Sequence, residues 1–127
     1  KMMSLNELLK ESDIITIHSP LNNETRNMIN KSSLEKMKKT SFLINTARGQ
    51  IINENDLYIS LKDGRIAGAA IDVFEKEPYT GKLKELKNII LTPHIGSLTI
   101  ETRKTMDVGS VINLINGLKE ADALWRL

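Results

Sequence analysis

The sequence predicts an α/β fold built on a parallel sheet, and three observations lead to that prediction. Helix-like and strand-like segments alternate along the 127 residues with short connections between them, which is typical of parallel α/β sheets. The strand-like segments are short runs of apolar, β-branched or small residues, as expected of buried parallel strands. Hydrophobic residues make up 40 % of the chain, which is enough to form a packed core.

Four segments are expected to form strands. Each ends in polar or turn-forming residues, and proline follows two of them, where it cannot continue the hydrogen-bond ladder. The segments are Ile14 to Ile17, Ser41 to Asn45, Ile66 to Ile71 and Asn88 to Leu91. The third consists largely of alanine and glycine, so a helix or a ligand can approach its backbone closely.

Four segments are expected to form helices, and capping residues predict where three of them begin. Ser4 and Ser32 each begin a capping box with a glutamate three residues later, predicting helices through Lys10 and through Lys38. Asn53 is expected to cap a helix that ends at Gly64.

The last predicted helix runs from about Thr99 to Asn116 and is expected to end at Gly117. Its apolar residues recur at helical spacing, which predicts a packing face. These residues are Val108, Val111, Ile112, Ile115 and Leu118.

Composition excludes several classes of function. The formal net charge of +2 is small and dispersed, so neither nucleic-acid nor membrane binding is expected. Cysteine is absent, which rules out disulfides and thiolate metal sites and fits a cytoplasmic location. Two histidines do not support a multi-histidine metal site. With no internal repeat or linker segment, residues 1–127 are interpreted as one domain.

Ligands of parallel α/β sheets bind beyond the carboxyl ends of the strands, so the residues after each strand are the candidates for chemistry. Arg48 follows the second predicted strand, Glu75 and Glu77 follow the third, and His94 follows the fourth. An arginine, acidic groups and a histidine at one edge of a sheet are what an acid–base site needs. His18, after the first strand, is interpreted as a strand-end histidine and not as a catalyst.

Three segments resemble successive signatures of the D-isomer-specific 2-hydroxyacid dehydrogenases, in the same order and spacing. They are INTARGQIIN (44–53), AGAAIDVFEKEP (67–78) and LTPHIGS (91–97), and SLNELLKESDIITIHSPLNNETRNMIN (4–30) is also similar to the family. The resemblance implies the second half of a Rossmann-type NAD-binding domain. It also implies NAD as cofactor, with NADP not excluded, and a small 2-hydroxy or 2-oxo acid as substrate. A homo-oligomer is expected as well, because a sheet edge left open by missing strands favours self-association.

The resemblance implies three catalytic residues. Arg48 matches the arginine that binds substrate, and its guanidinium fork suits the carboxylate of a 2-oxo acid. His94 matches the general acid/base that supplies a proton to the developing alkoxide. Glu77 matches the carboxylate that stabilises and orients the imidazolium. Glu75 is the rival candidate, but the family's acid directly precedes proline, so Glu75 is interpreted as a solvated loop charge.

Further residues are implied to bind the cofactor, partly through backbone atoms. Asp72 is expected to accept a hydrogen bond from the nicotinamide carboxamide. The remaining positions implied to line the cofactor are Ser19, Thr46, Ala47, Arg48, His94, Ile95 and Gly96.

One expected feature is missing from these residues. The seven glycines never stand two apart, so the glycine-rich loop that grips the pyrophosphate of a dinucleotide is not present. Residues 1–127 are therefore interpreted as a partial NAD-binding domain, without the first βαβ unit and the substrate domain. The 127 residues alone are expected to be inactive. The alternative function is a non-catalytic binding or assembly module derived from the same family.

Overall fold

The computed structural model describes residues 2–124, with the backbone alone for residues 121–124. These residues form two compact units, one up to His94 and the other from Ile95 onward. The helices are α1 (Leu5–Glu11), α2 (Lys31–Lys36), α3 (Glu54–Lys62) and α4 (Ile100–Leu124). The strands are β1 (Ile14–Ile17), β2 (Phe42–Asn45), β3 (Gly68–Ile71) and β4 (Ile89–Leu91).

The first unit is built on one sheet of four parallel strands in the order β1-β2-β3-β4. Short 3₁₀ turns at Gly49–Ile51 and Lys82–Glu85 lie in the connections after β2 and β3. The predicted parallel α/β sheet is therefore confirmed, with strand ends within two residues of those expected. Because all four strands run the same way, all four carboxyl ends lie along one edge of the sheet.

Capping side chains begin the first and third helices at the predicted residues. The Ser4 hydroxyl accepts a hydrogen bond from the Glu7 amide, and the Glu7 carboxylate accepts one from the Ser4 amide. These two hydrogen bonds complete the capping box of α1. The Asn53 side chain accepts from the Asp56 amide at 3.0 Å and caps α3. After α3, Gly64 adopts a positive φ of 63°, as expected of a glycine that ends a helix.

The predicted cap of α2 is wrong. Asn30, and not Ser32, accepts the hydrogen bond of the Ser33 amide, and the helix begins at Lys31. Asparagine caps helices as well as serine does, so the local pattern alone did not decide between them. The buried hydroxyl of Ser33 instead donates to the Met28 carbonyl at 2.6 Å, an interaction with the preceding chain that a local pattern does not reveal.

The core lies on one face of the sheet, so the expected burial of β1 on both faces is wrong. Ile15 is 6 % exposed and packs in the core, whereas its neighbour Ile14 is 63 % exposed. On β2, Phe42 is exposed in the same way, and its ring lies against Gly68 of β3, where an added Cβ would stand 3.0 Å from the ring. The small side chains of β3 thus leave room for a neighbouring aromatic ring.

In the second unit α4 continues past the predicted stop at Gly117. A glycine inside a helix costs only about 1 kcal/mol relative to alanine, and the favourable helix formers Leu118, Lys119 and Glu120 follow it. The predicted packing stripe is not buried, because the side chains from Val108 to Leu118 that compose it are 45–61 % exposed. No helix within residues 2–124 has both the length and the hydropathy to cross a bilayer.

The one-sided burial of the sheet predicts unequal costs for two neighbouring substitutions. Ile15→Ala should lower the free energy of unfolding by roughly 2–5 kcal/mol, because it leaves a cavity in the core. Ile14→Ala should cost about 1 kcal/mol or less, the range of strand propensity alone. Urea unfolding followed by circular dichroism measures both, and equal costs would show that both faces of β1 are buried.

Candidate active site

The candidate residues converge because the parallel strands end at one edge of the sheet. Ser19 follows β1, Thr46 to Arg48 follow β2, Asp72 to Glu77 follow β3, and His94 follows β4. All of these residues belong to the first unit. Ile95 and Gly96 belong to the second unit, where the Ile95 carbonyl accepts a hydrogen bond from the Leu98 amide at 3.0 Å.

His94 and Glu77 form a pair across the ends of β3 and β4. The imidazole Nδ1 lies 2.9 Å from Oε2 of Glu77, with the two side chains 50 % and 38 % exposed. The other carboxylate oxygen of Glu77 accepts a hydrogen bond from the Phe74 amide at 3.0 Å. These two hydrogen bonds, that from His94 first, hold the pKa of Glu77 below its ordinary value of 4.5. The carboxylate is therefore kept in its charged form beside the imidazole.

His94 has a left-handed backbone, with φ of +56°. This region costs a residue with a Cβ roughly 1–2 kcal/mol, and such outliers persist where surrounding contacts hold them in place. The hydrogen bond to Glu77 is one contact that holds this histidine. A strained residue that presents an ionisable ring to a carboxylate is the kind of outlier that points to a functional site.

Asn45, the last residue of β2, fixes the loop that carries Arg48. Its side chain is fully buried, donates to the Arg48 carbonyl and accepts from the Ala47 amide, both at 3.0 Å. The Arg48 guanidinium donates through Nη1 to the Ala47 carbonyl at 2.6 Å. Asn45 was not predicted as a site residue, although a polar amide at the end of a buried strand, three residues before the arginine, was a usable signal in the sequence.

Gly49 brings the Arg48 loop directly against the loop that carries Glu77. A Cβ at Gly49 would stand 1.9 Å from the Phe74 carbonyl carbon and 2.5 Å from the Glu75 nitrogen, so only glycine fits. The Gln50 side-chain amide adds a long hydrogen bond to the Glu75 carbonyl at 3.4 Å. The two loops are therefore packed backbone to backbone.

Arg48 and Glu77, carried by these two loops, line one cavity of about 260 Å³ together with His94. Glu75 also lines it, and its side chain is exposed. Phe74 and Glu77 border a second cavity of about 610 Å³ as well, whose walls are largely apolar. The smaller cavity is the one that combines the guanidinium, the carboxylate and the imidazole, so it is the candidate active site.

The residues expected to bind cofactor lie at the same sheet edge in different environments. Asp72 is buried, and its carboxylate accepts a hydrogen bond from the Thr92 hydroxyl at 2.5 Å. Ser19 and Ala47 are half-buried, whereas Thr46 is exposed.

The second histidine, His18, does not line this cavity. His18 Nε2 lies 2.9 Å from the Thr16 hydroxyl, and the ring is not among the residues that line the candidate active site. Of the two histidines, His94 is the one that pairs with Glu77 and lines the same cavity as Arg48.

The family model of the D-isomer specific 2-hydroxyacid dehydrogenase, NAD binding domain, matches residues 1–96. A curated relative, glyoxylate reductase of Thermofilum pendens, is 50 % identical over 117 residues, which cover 91 % of this chain and 34 % of the relative. The chain thus spans about a third of the length of that relative.

Solved structures are similar over nearly the whole chain. A D-isomer specific 2-hydroxyacid dehydrogenase from Lactobacillus delbrueckii ssp. bulgaricus, complexed with NAD, has a TM-score of 0.83 at 32 % identity and is matched over 92 % of this chain and 40 % of that one. An acyclic imino acid reductase in complex with NADPH and D-Arg has a TM-score of 0.87 at 34 % identity, over 93 % and 38 %.

The backbone contact beneath Arg48 makes Gly49→Ala a sensitive test of the loop packing. The added methyl should force the two loops apart, cost roughly 1–3 kcal/mol of stability as overpacking does, and shift the amide resonances of Phe74 and Glu75. The matched control is Gly64→Ala, because nothing lies within 4 Å of its added Cβ and the strain comes from positive φ alone. Unchanged Phe74 and Glu75 resonances in Gly49→Ala would refute the contact.

Proposed function

The chain belongs to the D-isomer specific 2-hydroxyacid dehydrogenase family, matching its NAD-binding domain, and on that premise we propose that it carries the substrate anchor and the acid–base pair of an NAD(H)-dependent 2-oxo acid reductase. The observation that carries the proposal is that the His94–Glu77 pair and Arg48 border one cavity. The reaction would interconvert a small 2-oxo acid and the corresponding D-2-hydroxy acid.

We propose that these residues are the second half of a Rossmann-type domain in a longer enzyme. The relative from Thermofilum pendens is matched over 34 % of its length, and no two glycines here have the spacing of a pyrophosphate-binding loop. That loop and the substrate domain would come from sequence outside the 127 residues. The isolated chain would then hold the catalytic groups without the means to bind the dinucleotide tightly.

The residues at the sheet edge fit the nicotinamide end of the cofactor. Asp72 offers a buried carboxylate that already accepts from the Thr92 hydroxyl, and a carboxylate can accept further hydrogen bonds, such as one from a carboxamide. Ser19, Thr46 and Ala47 lie at the ends of neighbouring strands and would border the same ligand through backbone and hydroxyl groups. The reduced nicotinamide, when bound, supplies the hydride.

Arg48 would hold the substrate by its carboxylate. A guanidinium presents two parallel N–H groups that match a carboxylate and keep the adjacent carbonyl in a fixed orientation. The hydrogen bond of Nη1 to the Ala47 carbonyl restricts the Arg48 side chain before substrate arrives, and the Asn45 contacts fix the backbone of the loop that carries it. Because the Arg48 side chain is already restricted, less conformational freedom is lost when substrate binds. This favours alignment of the substrate for reaction.

His94 would supply the proton. As the carbonyl carbon accepts the hydride, the electron pair of the C=O bond moves to oxygen, and the imidazolium donates a proton to that oxygen. Because Nδ1 is paired with Glu77, Nε2 is the atom that would exchange the proton with substrate. The Glu77 carboxylate orients the ring and stabilises its charged form, as an acidic neighbour of an imidazolium does.

A second candidate function is self-association, favoured by the exposed apolar face of the sheet. Ile14, Phe42 and Ile90 are all exposed there, and β1 is an edge strand of the described sheet. Apolar patches and open sheet edges are the features that promote pairing between chains. We propose that the 127-residue chain on its own forms a homo-oligomer through this face, as an assembly module would.

The catalytic proposal is tested in a chimera in which this chain replaces the matching segment of the Thermofilum pendens glyoxylate reductase. The chimera should oxidise NADH, or NADPH if that is its cofactor, in the presence of glyoxylate. His94→Ala should lower kcat by roughly 10²–10⁴-fold, the usual contribution of a general acid, and Arg48→Lys should raise KM. His18→Ala is the matched control and should leave both constants unchanged. Equal rates in His94→Ala and His18→Ala would remove His94 from the mechanism.

The self-association proposal is tested by light scattering on the chain at increasing concentration. The apparent mass should rise with concentration, and Ile90→Lys should reduce the rise by placing a charge on the sheet face. Ile59→Lys is the matched control, because Ile59 is an equally apolar exposed side chain on α3. A monomer at every concentration, or the same effect from both variants, would contradict the proposal.

A further inference from the structure

Glu54 contacts the loop that carries Glu77, although it lies on a different element. It is the first residue of α3 and is half-buried. Its Oε1 accepts a hydrogen bond from the Glu75 amide at 2.7 Å, across 21 positions of sequence. A hydrogen bond to a charged acceptor at this distance is among the stronger interactions available to a loop.

Successive amides of this loop donate to two different carboxylates. The Phe74 amide donates to Oε1 of Glu77 and the next amide, of Glu75, donates to Oε1 of Glu54. Because neighbouring peptide groups share a Cα, fixing the second restricts the direction of the first. The orientation of Glu77, and with it the direction of the oxygen that meets His94, therefore depends on where Glu54 holds the loop.

The position of Glu54 is electrostatically costly. Burial, the largest cause, raises the pKa of Glu54 above its ordinary value of 4.5, and the charge of Glu75 raises it further, while the hydrogen bond from the Glu75 amide opposes both. The amino end of α3 partly offsets this cost, because it favours a negative charge. The contact with the Glu75 amide explains a carboxylate at this half-buried position better than exposure to solvent does.

We propose that Glu54 is a positioning residue that holds the Phe74–Glu77 loop in the orientation in which Glu77 pairs with His94. The proposal deepens the function proposed above and rests on it for its catalytic meaning. Glu54 does not line the cavity of Arg48, Glu77 and His94, so its effect would be transmitted through the loop. Loss of the Glu54 oxygen should loosen the carboxylate–imidazole pair without removing either member.

The test is the pKa of Glu77 in the full chain, measured by carboxyl ¹³C NMR. In the unsubstituted chain the pKa should lie below 4.5, since the hydrogen bonds from His94 and Phe74 lower it. In Glu54→Ala it should rise towards 4.5 because those hydrogen bonds weaken. Removing a negative charge near a carboxyl group lowers its pKa. A rise therefore reports the loss of geometry and not the loss of charge.

Two further variants separate positioning from stability. Glu54→Gln keeps an oxygen that can accept from the Glu75 amide, so the pKa of Glu77 should stay low. Asp56→Ala removes another acid from the first turn of α3, but Asp56 accepts from the Lys31 amide at 2.8 Å and faces α2. It should destabilise the fold comparably and leave the pKa of Glu77 low.

An unchanged pKa of Glu77 in Glu54→Ala, or an equal rise in Asp56→Ala, would overturn the proposal. These outcomes do not depend on catalysis, because they report the geometry of the pair in the chain itself. If the chimera were inactive and Glu54→Ala still raised the pKa of Glu77, the function would be wrong and the positioning role would stand.

Discussion

The close packing of the Gly49 backbone against the Phe74 and Glu75 backbone is the constraint on which the candidate active site depends. It joins the loops after β2 and β3, and these loops carry Arg48 and Glu77. Parallel strands bring all the loops to one edge of the sheet, but that alone leaves them free to splay. The absence of a side chain at Gly49 allows the backbones of the two loops to meet, and residues of both loops line the cavity.

Several local costs are concentrated around this contact. His94 adopts a left-handed backbone, and Glu54 keeps a carboxylate where burial disfavours its charge. Each cost is matched by a specific hydrogen bond, from His94 to Glu77 and from Glu75 to Glu54. Specific hydrogen bonds therefore hold the candidate site in place next to the apolar core. The core provides the stability that allows the left-handed backbone of His94 and the half-buried carboxylate of Glu54 to persist.

The sequence predicted most of what depends on local pattern, although the cap of α2 and the end of α4 were wrong, and it failed where distant residues decide. The parallel sheet and the caps at Ser4 and Asn53 follow from short spacings, and the placement of Arg48 and His94 at one edge follows from strand direction. The contact between Glu54 and Glu75 spans 21 positions, so no local pattern contains it. The faces of β1 were misjudged for the same reason: an apolar run specifies that side chains can be buried, but only the tertiary arrangement decides which are covered.

The central claim is that one cavity joins the guanidinium of Arg48 to the His94–Glu77 pair. Titration of the chain with oxamate, an unreactive analogue of a 2-oxo carboxylate, tests it most directly when the Nε–Hε group of Arg48 and the ring of His94 are followed together by NMR. We predict that both resonances shift with the same dissociation constant, because one bound carboxylate–carbonyl unit contacts both. A shift in Arg48 alone, or two unrelated binding curves, would contradict the claim.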